Sequence, residues 1–219
     1  EWVKDGAKDE DAGNFLNGRY YNHFHNPLKS WDQAGLSTIY PGVNGESSVL
    51  WAQDSSNEWS WQKVRDYYYL ALMSPMETDR NTYFANTFKG VGHIIHLIQD
   101  TSQPAHVRND PHGLEALGVV EGFESWAADN RSQVLSLMSH PTFPTVSLNT
   151  SVGGYVPMTQ FIDTNQYNGD NPSATYSQGL AEYTAANFAS EDTIFSFDLR
   201  HPIRSDTEYY EEYERDWGS

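Results

Sequence analysis

Apolar residues recur at helical spacing in several segments of this chain, and runs with the alternation of a β-strand are few. The spacing predicts four helices, from about Ser56 or Asn57 to Met73, Thr78 to Asp100, Val120 to Ser139 and Ser173 to Phe188. Residues 1–5 are predicted to be the tail of a helix that ends at Gly6. The pattern therefore predicts an all-α fold, a multi-helix bundle.

Long segments without this periodicity separate the predicted helices. Residues 7–56 are rich in Gly, Asn, Ser and Pro, and residues 140–172 hold four prolines. The acidic tail 205–216 is predicted as a solvated last helix or a partly ordered end. Long loops inside a compact domain are usually functional, so we expect these loops to surround one site. No internal linker separates a second unit, and residues 1–219 are predicted to form a single domain.

Composition narrows the chemistry. The chain contains no cysteine, which excludes disulfides, thiolate nucleophiles and Cys-type zinc sites. Its mean hydropathy of −0.67 predicts no membrane-spanning segment. The net charge of −17 disfavours a long nucleic-acid partner, although bound metals can supply positive charge locally. The chain starts with Glu rather than Met, and we expect a processed protein that is secreted or periplasmic.

The most specific chemical signal lies at the end of the second predicted helix. His96 and Asp100 are four residues apart, which places an imidazole and a carboxylate on one helix face. Pro104 then interrupts the helix, and His106 follows just past the bend. Imidazole and carboxylate ligands that converge at a helix end suit Zn²⁺, so the sequence predicts a metal site here.

Two further clusters of His and acidic residues add to this inventory. Asp11 and His23 lie on the irregular N-terminal segment, where a turn-forming Asp and a solvated His are the alternative reading. Glu124 begins the third predicted helix, where the helix dipole alone would favour it, and His112 lies on the preceding loop, where a histidine is often merely exposed. His93 shares the face of His96 and is predicted to support a ligand or to pack. His25, His140 and His201 are predicted to be structural or exposed.

These motifs resemble the zinc-dependent phospholipases C of bacteria, which are related in fold to the S1/P1 nucleases. The resemblance spans roughly residues 6 to 126. It rests on four pieces in order: Gly6-x-x-x-x-Asp11, His23-Phe24-x-x-Pro27, His96-x-x-x-Asp100-x-x-x-Pro104-x-His106 and Phe123-Glu124. The segment from Asn187 to Phe195 also looks like this group, although we assign it no catalytic role.

The resemblance implies two or three zinc ions in a cleft. One zinc would be held by Asp11, His23, His96 and Asp100, and Asp100 would also bridge to a second ion. His106 and Glu124 would belong to another zinc. The carboxylate matching Asp11 is also the candidate general base of the family.

The chain departs from the family pattern at two places. The family has a His four residues before the Glu, where this chain has Val120. We predict that His112 supplies the missing nitrogen, with Asp110 as an oxygen alternative. The N-terminal ligands of the family have no counterpart either, so we expect either a missing N-terminal stretch or fewer metals.

The resemblance thus predicts a zinc-dependent phosphodiester hydrolase that acts on phospholipid headgroups or another phosphodiester, with a transient membrane interface. One alternative is a nuclease or nucleotidase on the same scaffold, although the 13 Lys and Arg residues are few for a long nucleic-acid substrate. A second alternative is a metal-binding, non-catalytic module of an exported protein. The sequence does not define the oligomeric state.

Overall fold

The computed structural model describes residues 1–12, 19–38, 44–111, 126–127, 129–138, 158–167 and 179–190. Throughout these ranges the secondary structure is helical, without a named strand; the one extended pairing there is an isolated bridge between Ser37 and Asn44. The helices are α1 (Trp2–Asp11), a 3₁₀ helix (Tyr20–His23), α2 (Ser48–Trp51), α3 (Trp61–Met73), α4 (Glu77–Asp100), α5 (Pro104–Val107), α6 (Arg131–Met138), α7 (Met158–Ile162) and α8 (Leu180–Asn187). The predicted all-α fold class is confirmed for this part of the chain.

Helix α4 is the longest described element, and α1 and α3 pack against it. Its observed bounds agree with the prediction to within one residue, because the apolar period is sustained over six turns. Ile94 and Leu97 face Val64 of α3 and Ala52 in a buried apolar cluster. No helix of the described residues combines the length and the apolar character that crossing a bilayer requires.

The prediction that the first helix ends at Gly6 is wrong. Helix α1 continues through Gly6 to Asp11, and Gly6 is buried in its middle. A Cβ atom at Gly6 would lie 1.9 Å from the Lys89 carbonyl oxygen, and one at Gly92 would lie 2.1 Å from the Val3 carbonyl oxygen. The two glycines therefore serve a close helix crossing instead of a helix end.

Helix α3 ends at Met73 as predicted but begins at Trp61, later than the predicted start at Ser56 or Asn57. The difference arises because Asn57 lies in a turn. Its amide donates to the Asp54 carbonyl, and its side-chain oxygen accepts from the Trp59 amide. This local bonding competes with helix formation.

The predicted irregular region 7–56 contains more helix than expected, namely the end of α1, the 3₁₀ helix and α2. The segment that directly follows the 3₁₀ helix is tied to other segments by its backbone. The His25 amide donates to the His106 carbonyl at 2.9 Å, and the Ser48 amide donates to the Phe24 carbonyl at 3.0 Å. The interruption of the helix predicted at Pro104 is confirmed: α4 ends at Asp100, and Pro104 starts α5.

The C-terminal half is described in part. Helix α6 lies within the third predicted helix, and α8 within the fourth, while the short helix α7 was predicted as loop. Helices α7 and α8 contribute Ile162, Ala181 and Ala185 to a buried cluster with Val49 and Val107. The predicted tail helix 205–216 lies outside the described residues.

Candidate metal centre

Three separate elements bring four of the predicted ligands to one point. Asp11 is the last residue of α1, His23 is the last residue of the 3₁₀ helix, and His96 and Asp100 occupy the last two turns of α4. The close crossing at Gly6 and Gly92 sets the end of α1 beside the end of α4.

The ligand atoms of these residues lie close together. His23 Nδ1 is 3.4 Å from Asp11 Oδ1 and 3.1 Å from Asp100 Oδ2. His96 Nε2 is 3.3 Å from the same Asp11 oxygen and 3.2 Å from the same Asp100 oxygen. Two nitrogens and two oxygens thus alternate around a small quadrilateral.

The hydrogen bonding around this quadrilateral is incomplete. His23 Nδ1, His96 Nε2 and Asp100 Oδ2 are buried, and none of them has a hydrogen bond of acceptable geometry within the described part of the chain. Together with Asp11 Oδ1, these three atoms surround one small space. Buried polar atoms are normally paired, so this space suits a further partner.

The spacing fits a small cation. An ion with tetrahedral ligands at about 2.0–2.1 Å separates neighbouring ligand atoms by about 3.3 Å. The four nitrogen-to-oxygen distances above span 3.1 to 3.4 Å. Asp11, His23 and His96 could therefore hold a metal ion, and Asp100 offers an oxygen at the same place.

The charges of the cluster are strongly coupled. Burial by itself lowers the pKa of His23, but the carboxylates of Asp100 and Glu10 outweigh burial and raise it to about 9. Burial likewise lowers the pKa of His96, but the carboxylates of Asp100 and Asp11 outweigh burial and raise it to about 10. Burial raises the pKa of Asp100, yet His106, His23 and His96 hold it well below its usual range. Since histidine and carboxylate ligands bind metals without their protons, a bound cation would displace the protons that the imidazoles and carboxylates of this cluster hold.

His106 lies beside this cluster. Its ring stacks on Phe24 with centroids 4.7 Å apart, and its Nδ1 donates to the His23 carbonyl at 3.2 Å. Asp100 Oδ2 is 3.7 Å from His106 Nδ1, so His106 adjoins the four-ligand cluster on the side of Asp100.

The remaining predicted ligands are His112 and Glu124, and both lie outside the described residues. Asp110, the oxygen alternative to His112, is buried directly after α5, where its amide donates to the Ala105 carbonyl at 3.0 Å.

Sequence reasoning missed Glu10 as a neighbour of the cluster. The Glu10 side chain is fully buried, accepts two hydrogen bonds from Arg19 and one from His93, and lies 3.6 Å from His23 Nε2. Gly6 and Glu10 are one turn apart on the buried face of α1, and extending the predicted helix through Gly6 would have shown this. His93 also stacks on Trp59, which agrees with its predicted role beside a ligand.

His25 is structural, as predicted, and its partners come from distant segments. Its Nε2 donates to Asp163 at 2.9 Å, and the Ser47 hydroxyl lies 2.7 Å from its Nδ1. Trp31 donates to the same Asp163 oxygen at 2.7 Å. All three members of the Ser47, His25 and Asp163 set are buried, so they anchor the segment that carries His23.

Comparison with known proteins adds no assignment. No protein-family model matches this sequence, and the comparisons with curated proteins and with solved structures found no match. The resemblance to the zinc-dependent phospholipases C stays a prediction drawn from the motifs.

Proposed function

We propose that this chain is a zinc-dependent phosphodiester hydrolase of the phospholipase C type. The observation that carries the proposal is the convergence of buried, incompletely hydrogen-bonded ligand atoms of His23, His96 and Asp100 with Asp11 at the edge lengths of a tetrahedral site. Two imidazoles and two carboxylates without a thiolate make a donor set that suits zinc.

Exposure of one ligand supports a catalytic site over a purely structural one. A structural zinc ion has its four positions filled by protein ligands, whereas a catalytic zinc ion keeps a position open to water or expands to five ligands. The Asp11 side chain is 60% exposed, while His23 opposite it is fully buried. A substrate and an attacking water therefore have access from the Asp11 side.

Bound zinc lowers the pKa of a coordinated water and neutralises charge on phosphoryl oxygens. The protein groups would divide the remaining work. Asp11 uses Oδ1 toward both imidazoles, and its second carboxylate oxygen is the candidate base that accepts a proton from the attacking water. His23 and His96 both contact Oδ1 and would so fix the orientation of the Asp11 carboxylate.

A second ion would lie on the His106 side. The His106 ring is held by the hydrogen bond from Nδ1 to the His23 carbonyl and by the stacked Phe24 ring. The resemblance assigns Glu124 and a further His to this ion, and His112 is our candidate for that nitrogen.

The net charge of −17 favours a substrate with few phosphates over a polyanion. We therefore propose a phospholipid headgroup or a similar small phosphodiester as substrate, reached through transient contact with a membrane surface.

The test combines metal content with hydrolysis by protein purified without added metal. We expect two or three zinc ions per chain and chelator-sensitive hydrolysis of p-nitrophenylphosphorylcholine. Asp11→Asn should reduce kcat by about 10²- to 10⁴-fold, the usual range for a general base. Asp5→Asn, an exposed carboxylate on the same helix, is the matched control and should retain activity.

Other outcomes select between the alternatives. Chelator-sensitive cleavage of single-stranded DNA without hydrolysis of the choline ester would favour the nuclease reading. Bound zinc without hydrolysis of any phosphodiester would leave a metal-binding module and overturn the hydrolase proposal.

A further inference from the structure

Glu10 is a buried carboxylate that connects the metal cluster to the rest of the fold. Arg19 donates to Oε2 through Nε at 2.9 Å and Nη2 at 2.6 Å, and His93 donates to the same oxygen. Trp51 donates to Oε1 at 3.2 Å. The carboxylate is therefore fixed by three side chains from three different segments.

The free side of Oε1 faces a proposed metal ligand. His23 Nε2 is buried without a hydrogen-bond partner among the described residues and lies 3.6 Å from Oε1, just beyond hydrogen-bonding distance, whereas its Nδ1 faces the carboxylates of Asp11 and Asp100. Each nitrogen of this fully buried ring thus faces a different set of oxygens. A neutral imidazole can bind a metal through only one nitrogen while the other carries the proton.

We propose that Glu10 is a positioning residue that holds His23 in the tautomer with the proton on Nε2, so that the Nδ1 lone pair points at the metal. This inference rests on the metal centre of the proposed function. Carboxylates behind ligating histidines fix the ring and raise its basicity, and their loss typically lowers metal affinity 10- to 100-fold.

The chain provides a matched control for a purely structural role. Glu182 is also fully buried, and its carboxylate accepts hydrogen bonds from Thr164 and from the amides of Gln166, Tyr167 and Gly179. These partners belong to the loop after α7 and the start of α8, and they do not include a proposed metal ligand. Glu182→Gln therefore removes a buried carboxylate without touching the cluster.

The experiment titrates Co²⁺ into the full chain and follows the visible absorption of the bound ion. For Glu10→Gln we expect a 10- to 100-fold weaker Co²⁺ affinity and a changed absorption band. Glu182→Gln should keep the wild-type absorption band and a Co²⁺ affinity within about twofold of the wild type. This should hold even if Glu182→Gln lowers the melting temperature as much as Glu10→Gln does. Glu10→Asp, which retains the charge one methylene farther away, should show an intermediate affinity and covers the case in which Glu10→Gln fails to fold.

A second readout follows the tautomer directly. In the zinc-loaded protein, ¹⁵N NMR of His23 should show the metal on Nδ1 and the proton on Nε2, and Glu10→Gln or Glu10→Asp should shift the Nε2 resonance because each weakens the contact with the carboxylate. Equal Co²⁺ affinities of the Glu10 and Glu182 variants would overturn the positioning role alone. A wild type that binds neither Co²⁺ nor zinc would overturn the metal centre as well.

Discussion

Substitution of Gly92 by Ala tests whether the helix crossing builds the metal centre. Alanine is the better helix former, and Gly→Ala in the interior of an ordinary helix gains about 1 kcal/mol. Gly92 lies in the interior of α4, yet an added Cβ would lie 2.1 Å from the Val3 carbonyl oxygen and 2.8 Å from the Ala7 amide nitrogen. We therefore expect the substitution to destabilise the protein, against the helix propensity.

The size of the effect follows from the overlap. Ordinary van der Waals contact begins at 3.4 Å, so the backbone of α1 must move away from α4 by more than 1 Å. Overpacking of this kind costs about 1–3 kcal/mol, and the helix-propensity gain offsets about 1 kcal/mol of it. The net loss in the free energy of unfolding is then up to about 2 kcal/mol.

The same displacement should weaken metal binding. Asp11 is on α1 and His96 is on α4, and their ligand atoms are 3.3 Å apart. Metal sites tolerate ligand distances within about 0.2 Å of the ideal, so a shift of α1 by 1 Å moves Asp11 out of range. We expect at least a tenfold weaker zinc affinity, by analogy with the loss of a supporting contact.

Urea denaturation in the presence of a chelator gives the free energy of unfolding of the metal-free protein. Competition with a chromogenic chelator gives the zinc affinity. Asn81→Ala, at an exposed position in the interior of the same helix, is the control and should be neutral or slightly stabilising with unchanged zinc affinity. If Gly92→Ala raised the free energy of unfolding and left zinc affinity intact, the close crossing would not hold the site.

Three further predictions concern the anchors of the centre and the ion itself. Asp163→Asn should lower the free energy of unfolding by about 2 kcal/mol at pH 7, because Asp163 accepts charged hydrogen bonds from His25 and Trp31. Burial raises the pKa of Asp163, but its hydrogen-bond donors outweigh burial and lower it. The stabilisation is therefore present above about pH 3.9 and is lost as the pH falls through the pKa of Asp163 in the folded protein. Urea titrations of the wild type and Asp163→Asn should converge in acid. Phe24→Leu removes the ring stacked on His106 and should cost about 0.5–1.5 kcal/mol beyond the area lost, measured by thermal unfolding against Leu36→Val as a control for lost apolar area. Free zinc at about 1,000 times its Kd should stabilise the protein by about 4 kcal/mol, and a chelator should reverse the gain in melting temperature.

The parts of the site that could be predicted from sequence are those that depend on local periodicity. His96 and Asp100 are one helical turn apart, and the sustained apolar pattern of α4 fixes which face they share. Their closeness thus followed from helix geometry alone. Pro104 likewise marked the break before His106, because proline ends a helix locally.

The parts that could not be predicted depend on distant contacts. A glycine at position 6 resembles a helix C-cap, and only the Lys89 carbonyl packed against it shows why the helix continues. Asp163 lies 138 residues from His25, and no local pattern relates the two. The meeting of Asp11 and His23 with α4 was expected from the family resemblance and not from spacing.

The contacts that position the ligands do not require an ion. Asp11 is placed by the close helix crossing at the glycines. His23 contacts Glu10, and the segment that carries it is held by the hydrogen bond from the His25 amide to the His106 carbonyl. His96 and Asp100 belong to a 24-residue helix that packs along its length. Small zinc-dependent domains, in contrast, gain their fold from the metal. A centre built on tertiary contacts should keep its helices after chelation, and far-UV circular dichroism of the metal-free protein should therefore match that of the zinc-loaded protein while the melting temperature falls.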